Sequence, residues 1–176
     1  MSLVIRKALM DDLDKVEKLY DDVLDYEAAN VSYTNWQKGL YPTRSYGETA
    51  INLGTMYLGI ENDEIVGSVI LNHIQPPEYG KIDWSYEAQG EEVLVIHTLC
   101  ITPKFTRRGF GREFVDFSEQ LAREKGCKTV RLDTYEGNIP ATNLYIGMGY
   151  RYAGSVMFHF QNVIWETLKC FEKLIS

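Results

Sequence analysis

A short turn between an apolar segment and an amphipathic one carries the strongest chemical signal in the sequence. Its residues are Thr106, Arg107, Arg108, Gly109, Phe110, Gly111 and Arg112. Glycines at the start of a predicted helix expose backbone N–H groups that have no intrahelical partner, and the helix dipole adds positive charge there. Such a turn can bind a phosphate or pyrophosphate, with the arginines adding charge. Because Gly-x-Gly alone is a weak motif, a plain tight turn with solvated arginines explains these residues equally well.

A second group of polar residues follows about 30 positions later, in the segment that begins at Asn138 and includes Asn143 and Tyr145. A tyrosine hydroxyl has an ordinary pKa near 10, above the value near 8.5 of a thiol. Tyr145 could therefore donate a proton to a departing thiolate as a general acid. The alternative is that Tyr145 packs in the core with its hydroxyl at the edge.

The spacing of apolar residues predicts the elements that position these groups. A nearly continuous apolar run over residues 93–101 predicts a strand buried on both faces, which Pro103 ends. Helices are predicted over 109–126 and 138–147, with Asn138 as the N-cap of the second. Further helices are predicted from Asp11 to Leu24 and from a Ser45 cap to Leu53. Further strands are predicted over 3–7, 55–61, 65–73, 129–134, 150–160 and 163–171. Residues 75–90 are predicted to form a long loop that contains a short edge strand around 81–86.

This order of elements predicts a mixed α/β fold with a mostly antiparallel central sheet flanked by helices. The length of 176 residues and the mass of 20.2 kDa predict one domain over residues 1–176. The net charge of −7 makes duplex DNA and anionic membranes poor partners. An apolar run of 18 residues and a signal-peptide core are both absent, and three unpaired cysteines indicate a reducing compartment, so we expect a cytoplasmic protein.

Together the two motifs resemble those of the GCN5-related N-acetyltransferases, in the order and spacing of that family from about Val93 to Tyr150. The resemblance implies the acyl-CoA N-acyltransferase fold and acetyl-CoA as acyl donor, with no metal. It implies that residues 106–112 bind the pyrophosphate and that Leu99, Cys100 and Ile101 lie on the strand beside the pantetheine arm. It also implies that Asn138 and Asn143 contact the cofactor and that Tyr145 is the general acid. A bulge in the strand would admit the thioester.

One residue departs from the family pattern. Thr106 stands where the family usually has Gln or Arg, so its shorter, uncharged side chain reaches less far toward a phosphate. Arg107 or Arg108 would have to compensate. Cys100 is on the cofactor strand, but direct transfer needs no acyl-enzyme, so a buried thiol is the expected interpretation.

The general base is left open by the sequence. An alkylammonium has a pKa near 10.4, so it must lose a proton before its nitrogen can attack. His97 on the cofactor strand and Glu92 at its start are the candidates; Asp133 and Glu136 are more remote. A neutral core histidine explains His97 equally well.

The expected function is transfer of acetyl from acetyl-CoA to a primary amine of a small molecule or peptide. Aromatic and acidic residues such as Glu27, Trp36 and Tyr41 in the segments that bind substrate in this family would suit a cation. A homodimer is compatible with the sequence. Two alternatives stay open: a non-catalytic acyl-CoA-binding or sensing module, and a longer acyl chain whose fit Cys100 and Leu132 would decide.

Overall fold

A seven-stranded sheet and four α-helices form the part of the chain that the computed structural model describes, residues 3–160, 162 and 164–175. The strands are β1 (Val4–Lys7), β2 (Met56–Glu61), β3 (Glu64–Asn72), β4 (Val93–Ile101), β5 (Thr129–Tyr135), β6 (Arg151–Phe160) and β7 (Ile164–Leu174). The helices are α1 (Leu13–Ala29), α2 (Arg44–Asn52), α3 (Phe110–Glu124) and α4 (Ile139–Gly147). In this described part, no helix is long and apolar enough to cross a membrane.

The sheet has the strand order β1-β2-β3-β4-β5-β7-β6. Strands β4 and β5 are parallel, whereas β1–β2, β2–β3, β5–β7 and β6–β7 are antiparallel. The predicted mixed α/β fold with a mostly antiparallel sheet is therefore confirmed. The apolar run at 93–101 is the strand β4, as predicted, and it is followed by a 3₁₀ turn that Pro103 begins.

Besides shifts at the ends of elements, three local predictions differ from the structure or fall outside it. The N-cap of α2 is Thr43 and not Ser45, because the Thr43 hydroxyl accepts the N–H of Tyr46 at 3.2 Å. Residues 81–86 form no strand; a 3₁₀ turn at Pro77–Lys81 precedes an irregular segment. Val163, the predicted start of the last strand, lies outside the described residues.

The chain divides into two compact units, and the division falls within β4. The first unit comprises residues up to Ser32, Trp36–Leu71 and Thr98–Phe117; the second comprises Tyr33–Asn35, Asn72–His97 and the residues from Ser118 onward. In the first unit, the apolar face of α1 packs with α2, β2 and β3. In the second, residues of β4, β6 and β7 form a core with Tyr79 and Ile82.

Two glycines in the first unit lie opposite each other on β2 and β3, Gly59 and Gly67. A Cβ atom on Gly59 would lie 2.6 Å from Cζ of Phe114 in α3. A Cβ atom on Gly67 would lie 2.5 Å from the carbonyl oxygen of Cys100 in β4 and 3.1 Å from Phe114. Both backbones are thus in direct contact with a helix side chain, and only glycine leaves room for it.

We expect Gly67→Ala to lower the free energy of unfolding by about 1–3 kcal/mol, because a backbone carbonyl cannot move aside as a side chain can. Urea denaturation measures the change. Gly80→Ala is the matched control, since an added Cβ there meets nothing within 4 Å, and it should stay within about 0.5 kcal/mol of wild type. Equal stability of the two variants would contradict the close contact.

Candidate functional site

The turn before α3 has the backbone geometry of an anion-binding loop. Arg107 and Gly109 both have left-handed backbone angles, with φ values of 63° and 84°. The N–H of Glu113 donates to the carbonyl of Gly109 at 3.3 Å, which is the first hydrogen bond of the helix. The N–H groups of the three residues before Glu113 therefore have no acceptor within the helix. A Cβ on Gly109 would meet nothing within 4 Å. The turn therefore presents amides next to open space, which fits a phosphate group.

The three arginines of this turn have different surroundings. Arg107 and Arg112 are exposed. The Arg108 guanidinium makes an ion pair with the nearly buried Glu61, Nη1 to Oε2 at 3.0 Å, and lies 5.4 Å and 5.0 Å from the ring centroids of Phe105 and Phe110. The charge of Arg108 is thus balanced within the fold, so Arg107 and Arg112 are better placed to meet an anion.

Thr106 uses its hydroxyl locally. Its Oγ1 donates to the carbonyl of Pro103 at 3.1 Å, within the turn that ends β4. This hydrogen bond closes the turn. A phosphate contact from Thr106 would have to compete with it, which agrees with the reduced reach expected of threonine at this position.

Strand β4 has a backbone irregularity at Thr98, whose φ is 50°. A threonine in this left-handed region is strained, so its surroundings must hold it there. The hydroxyls of Tyr41 and Tyr46 are both hydrogen-bonded to Thr98 Oγ1, the second at 3.1 Å. The parallel pairing of β4 with β5 includes Ile96 as its last position, two residues before Thr98. The sequence indicated Tyr41 only as a candidate substrate contact, and it gave no signal for Thr98 or Tyr46.

The next three residues of β4 alternate in exposure. Leu99 and Ile101 are half-buried, whereas Cys100 is buried with its Sγ 3.6 Å from the hydroxyl of Ser68. Burial raises the pKa of the Cys100 thiol to about 11, so it stays protonated and unreactive at neutral pH. A structural thiol is consistent with this environment.

Helix α4 begins at the predicted cap and carries Tyr145 in its interior-facing part. Asn138 Oδ1 accepts the N–H of Ala141 at 3.2 Å, which confirms Asn138 as the N-cap. Tyr145 is buried, with its ring centroid 5.8 Å from that of Tyr150. Burial, together with the negative charge of Asp133, raises the pKa of the Tyr145 hydroxyl above its ordinary value. Asn143 on the same helix is exposed.

Asp133 on β5 is a carboxylate of the second unit with a raised pKa. The hydroxyl of Tyr79 donates to its Oδ2 at 2.7 Å. Burial raises the pKa of Asp133 to about 6, with the nearby charges of Glu166 and Glu78 acting in the same direction. A carboxylate that gains a proton just below neutral pH has the property required of a general base. The position of Asp133 near the end of a predicted strand only weakly indicated a role as general base, and nothing in the sequence indicated Tyr79.

The two base candidates that the sequence placed first have different environments. His97 Nε2 is hydrogen-bonded to Asn72 Oδ1 at 2.8 Å, and burial lowers the pKa of the imidazole to about 4. The ring is therefore neutral at physiological pH and a weaker base than free histidine. Glu92 accepts the N–H of Gln89 at 3.0 Å and pairs with Lys128 at 2.9 Å. Lys128 lowers the pKa of Glu92.

The sequence is similar to those of known acetyltransferases. The model of the acetyltransferase (GNAT) family matches residues 17–150. Streptothricin acetyltransferase of Escherichia coli is 26% identical over 100 residues, which are 57% of this chain and 49% of that protein. The chain thus spans about half the length of this curated relative.

Solved structures share the fold. A GNAT-family acetyltransferase from Streptococcus agalactiae 2603 has a TM-score of 0.83 at 21% identity, covering 99% of this chain and 96% of that chain. An acetyltransferase from Salmonella typhimurium, solved with its cofactor acetyl-CoA, has a TM-score of 0.69 at 14% identity, covering 100% and 95%. The family model covers well over half of the sequence, and the structure contains β4, the turn after it and α3 in the order that the motifs predicted. The chain therefore belongs to the acetyltransferase (GNAT) family.

Proposed function

We propose that this protein, as one domain over residues 1–176, transfers an acetyl group from acetyl-CoA to a primary amine of a small molecule or peptide. The observation that carries the proposal is the turn before α3, where left-handed Gly109 exposes amides next to open space. Acetyl-CoA is the acyl donor of the family, and its pyrophosphate has the charge and size that such a turn binds.

The resemblance to the family indicates which residues would hold the cofactor. Amides of residues 109–112 would bind the pyrophosphate, with Arg107 and Arg112 adding charge from exposed positions. The main chain of Leu99 and Ile101 would face the pantetheine arm. Asn138 and Asn143 would add polar contacts from α4. When bound, acetyl-CoA supplies the acetyl group as a thioester.

The reaction breaks a carbon–sulfur bond and forms a carbon–nitrogen bond. An ammonium nitrogen must lose a first proton before it attacks and another as the amide forms, whereas the sulfur gains one proton, so one proton is released to solvent overall. We assign the proton that reaches the sulfur to Tyr145 Oη. Because burial raises the pKa of this hydroxyl, it stays protonated at neutral pH and can donate to a thiolate, whose conjugate acid has an ordinary pKa near 8.5.

We assign the first proton to Asp133, in preference to His97 and Glu92. At pH 7 most Asp133 carboxyls are ionised, because their pKa is about 6, and each is a stronger base than a carboxylate with an ordinary pKa of 3.8. His97 has a pKa of about 4, and Glu92 is held by Lys128. Both remain weaker candidates for this role.

The negative charge around Asp133 is our basis for proposing a substrate class. Asp133 shares its surroundings with Glu166 and Glu78, so this part of the second unit concentrates negative charge. An acceptor that carries further cationic groups would be attracted there. The relative streptothricin acetyltransferase is named for an acceptor other than bulk protein. We therefore favour a small polycationic amine.

Cofactor binding gives the first test. Acetyl-CoA should raise the melting temperature of the wild-type protein, and Gly111→Trp should abolish the shift by filling the turn. Gln120→Trp, on the exposed face of the same helix, is the matched control and should keep the shift. The absence of a shift in the wild type would contradict the proposal.

A turnover screen over polyamines, amino acids, aminoglycosides and peptide amino termini then tests the chemistry. Release of free thiol that depends on one of these amines supports the acetyltransferase. Binding of acetyl-CoA with no turnover on any amine would favour the alternative, a non-catalytic acyl-CoA-binding or sensing module.

A further inference from the structure

The segment over residues 75–86 is held in the second unit by a buried arginine of β5. Arg131 is 4% exposed, and its Nη1 and Nη2 donate to Gln75 Oε1 and to the carbonyl of Tyr86, each at 2.7 Å. The guanidinium also lies 4.3 Å from the ring centroid of Trp84. One side chain thus contacts the two ends of the segment and also stacks on Trp84.

A fully buried glutamate of β7 adds to this attachment. Glu172 lies opposite Arg131 in the β5–β7 register. Its Oε1 accepts the N–H of Ser85 at 2.8 Å and lies 3.4 Å from Nη1 of Arg151. Buried charges of this kind are costly unless they are paired and hydrogen-bonded. Here the segment itself supplies hydrogen-bonding partners, so its conformation is closely specified.

The attached segment fixes Tyr79. Trp84 Nε1 donates to the carbonyl of Tyr79 at 2.9 Å, and the two ring centroids are 5.2 Å apart. Tyr79 is 2% exposed, and its hydroxyl donates to Asp133 Oδ2 at 2.7 Å. A buried tyrosine with a constrained ring and a constrained backbone cannot easily withdraw this hydrogen bond.

We propose that Tyr79 is a positioning residue, which acts through Asp133 by stabilising its ionised form and holding one oxygen so that the other can accept a proton. The proposal rests on the proposed function, because it takes Asp133 as the base. The segment over residues 75–86 is then a structural support for proton transfer.

Several other titratable groups surround Asp133, and they come from three parts of the second unit. The segment contributes Glu78 next to Tyr79, β7 contributes Glu166 and Cys170, and α4 contributes Tyr145. The charges of Glu78 and Glu166 and the burial of the site favour the protonated acid, whereas the Tyr79 hydrogen bond favours the carboxylate. Tyr79 and Glu78, adjacent in sequence, therefore have opposite effects.

Carbon-13 NMR of aspartate-labelled protein without cofactor tests this directly, with Asp133→Asn assigning the resonance. We expect the wild-type Asp133 carboxyl to titrate near pH 6, Tyr79→Phe to raise its midpoint by about one unit, and Glu78→Gln to lower it. Tyr152→Phe is the control, because it removes an exposed hydrogen bond to Ser155 of 2.6 Å and should change nothing.

The pH dependence of kcat/KM is the second readout, and its acidic limb should move with the same sign in each variant. An unchanged Asp133 midpoint in folded Tyr79→Phe, or an unchanged midpoint in Glu78→Gln, would overturn the proposal. If both variants shift the Asp133 midpoint but the wild-type protein acetylates no amine, the proposed function is overturned and the role of Tyr79 is not. The two failures are therefore distinguishable.

Discussion

Replacing Tyr145 with phenylalanine should lower kcat by about 10²–10⁴-fold, the usual contribution of a general acid. The variant keeps the ring that packs against Tyr150 and loses only the hydroxyl group that carries the proton. Without that proton the sulfur would have to leave as an unassisted thiolate. Steady-state kinetics with a thiol-detecting reagent measure the fall, and the melting-temperature shift with acetyl-CoA should stay close to wild type.

Tyr150→Phe is the matched control for this prediction. It removes a hydroxyl from the neighbouring buried ring, so it reports what the loss of a tyrosine hydroxyl does to this cluster. We expect its kcat to stay within a few-fold of wild type. If Tyr145→Phe turned over acetyl-CoA as fast as Tyr150→Phe, Tyr145 would not be the acid.

Asp133→Asn should lower kcat/KM by a similar factor of about 10²–10⁴ at pH 7, because an amide cannot take up the amine proton. The base works as the carboxylate, so wild-type activity should rise with pH through the pKa of Asp133, about 6. In the variant this acidic limb should disappear. A pH series of kcat/KM with one amine acceptor measures both effects.

The same substitution should not weaken the fold. The pKa of Asp133 is higher in the folded chain than its ordinary value of 3.8, so the group favours folding below that value and loses this contribution as pH rises through about 6. Asparagine has no such titration and can still accept the Tyr79 hydrogen bond. Urea denaturation at pH 7–8 should therefore find Asp133→Asn at least as stable as wild type.

Full activity of Asp133→Asn would move the base elsewhere, and His97 would become the next candidate. Its imidazole would then have to act against the burial that lowers its pKa to about 4. His97→Gln, which can keep a hydrogen bond to Asn72, would test that possibility with little change in packing.

The parts of the fold that sequence analysis predicted well are those with local signals. The apolar run of β4 needs burial on both faces, and Pro103 marks its end. Glycines and an asparagine cap mark the starts of α3 and α4. Those same residues carry the family motifs, so the element order and the family were accessible without coordinates.

The rest of the site depends on contacts between residues far apart in the sequence. Residues 81–86 were predicted as a short edge strand inside a loop, but Arg131 and Glu172 hold the segment in another conformation. The pKa of Asp133 depends on burial, which raises it, and on the hydrogen bond from Tyr79, 54 positions away, which lowers it. No pattern in a single sequence encodes such a pair.

The facing glycines of β2 and β3 have a consequence for ligand binding. The ring of Phe114 lies against both glycine backbones, one helical turn after Phe110, and this contact resists rotation of α3 about its axis. The amides of its first turn therefore keep their direction before any anion arrives. Under the proposed function, part of the affinity of this turn for the pyrophosphate would come from preorganisation by Gly59 and Gly67.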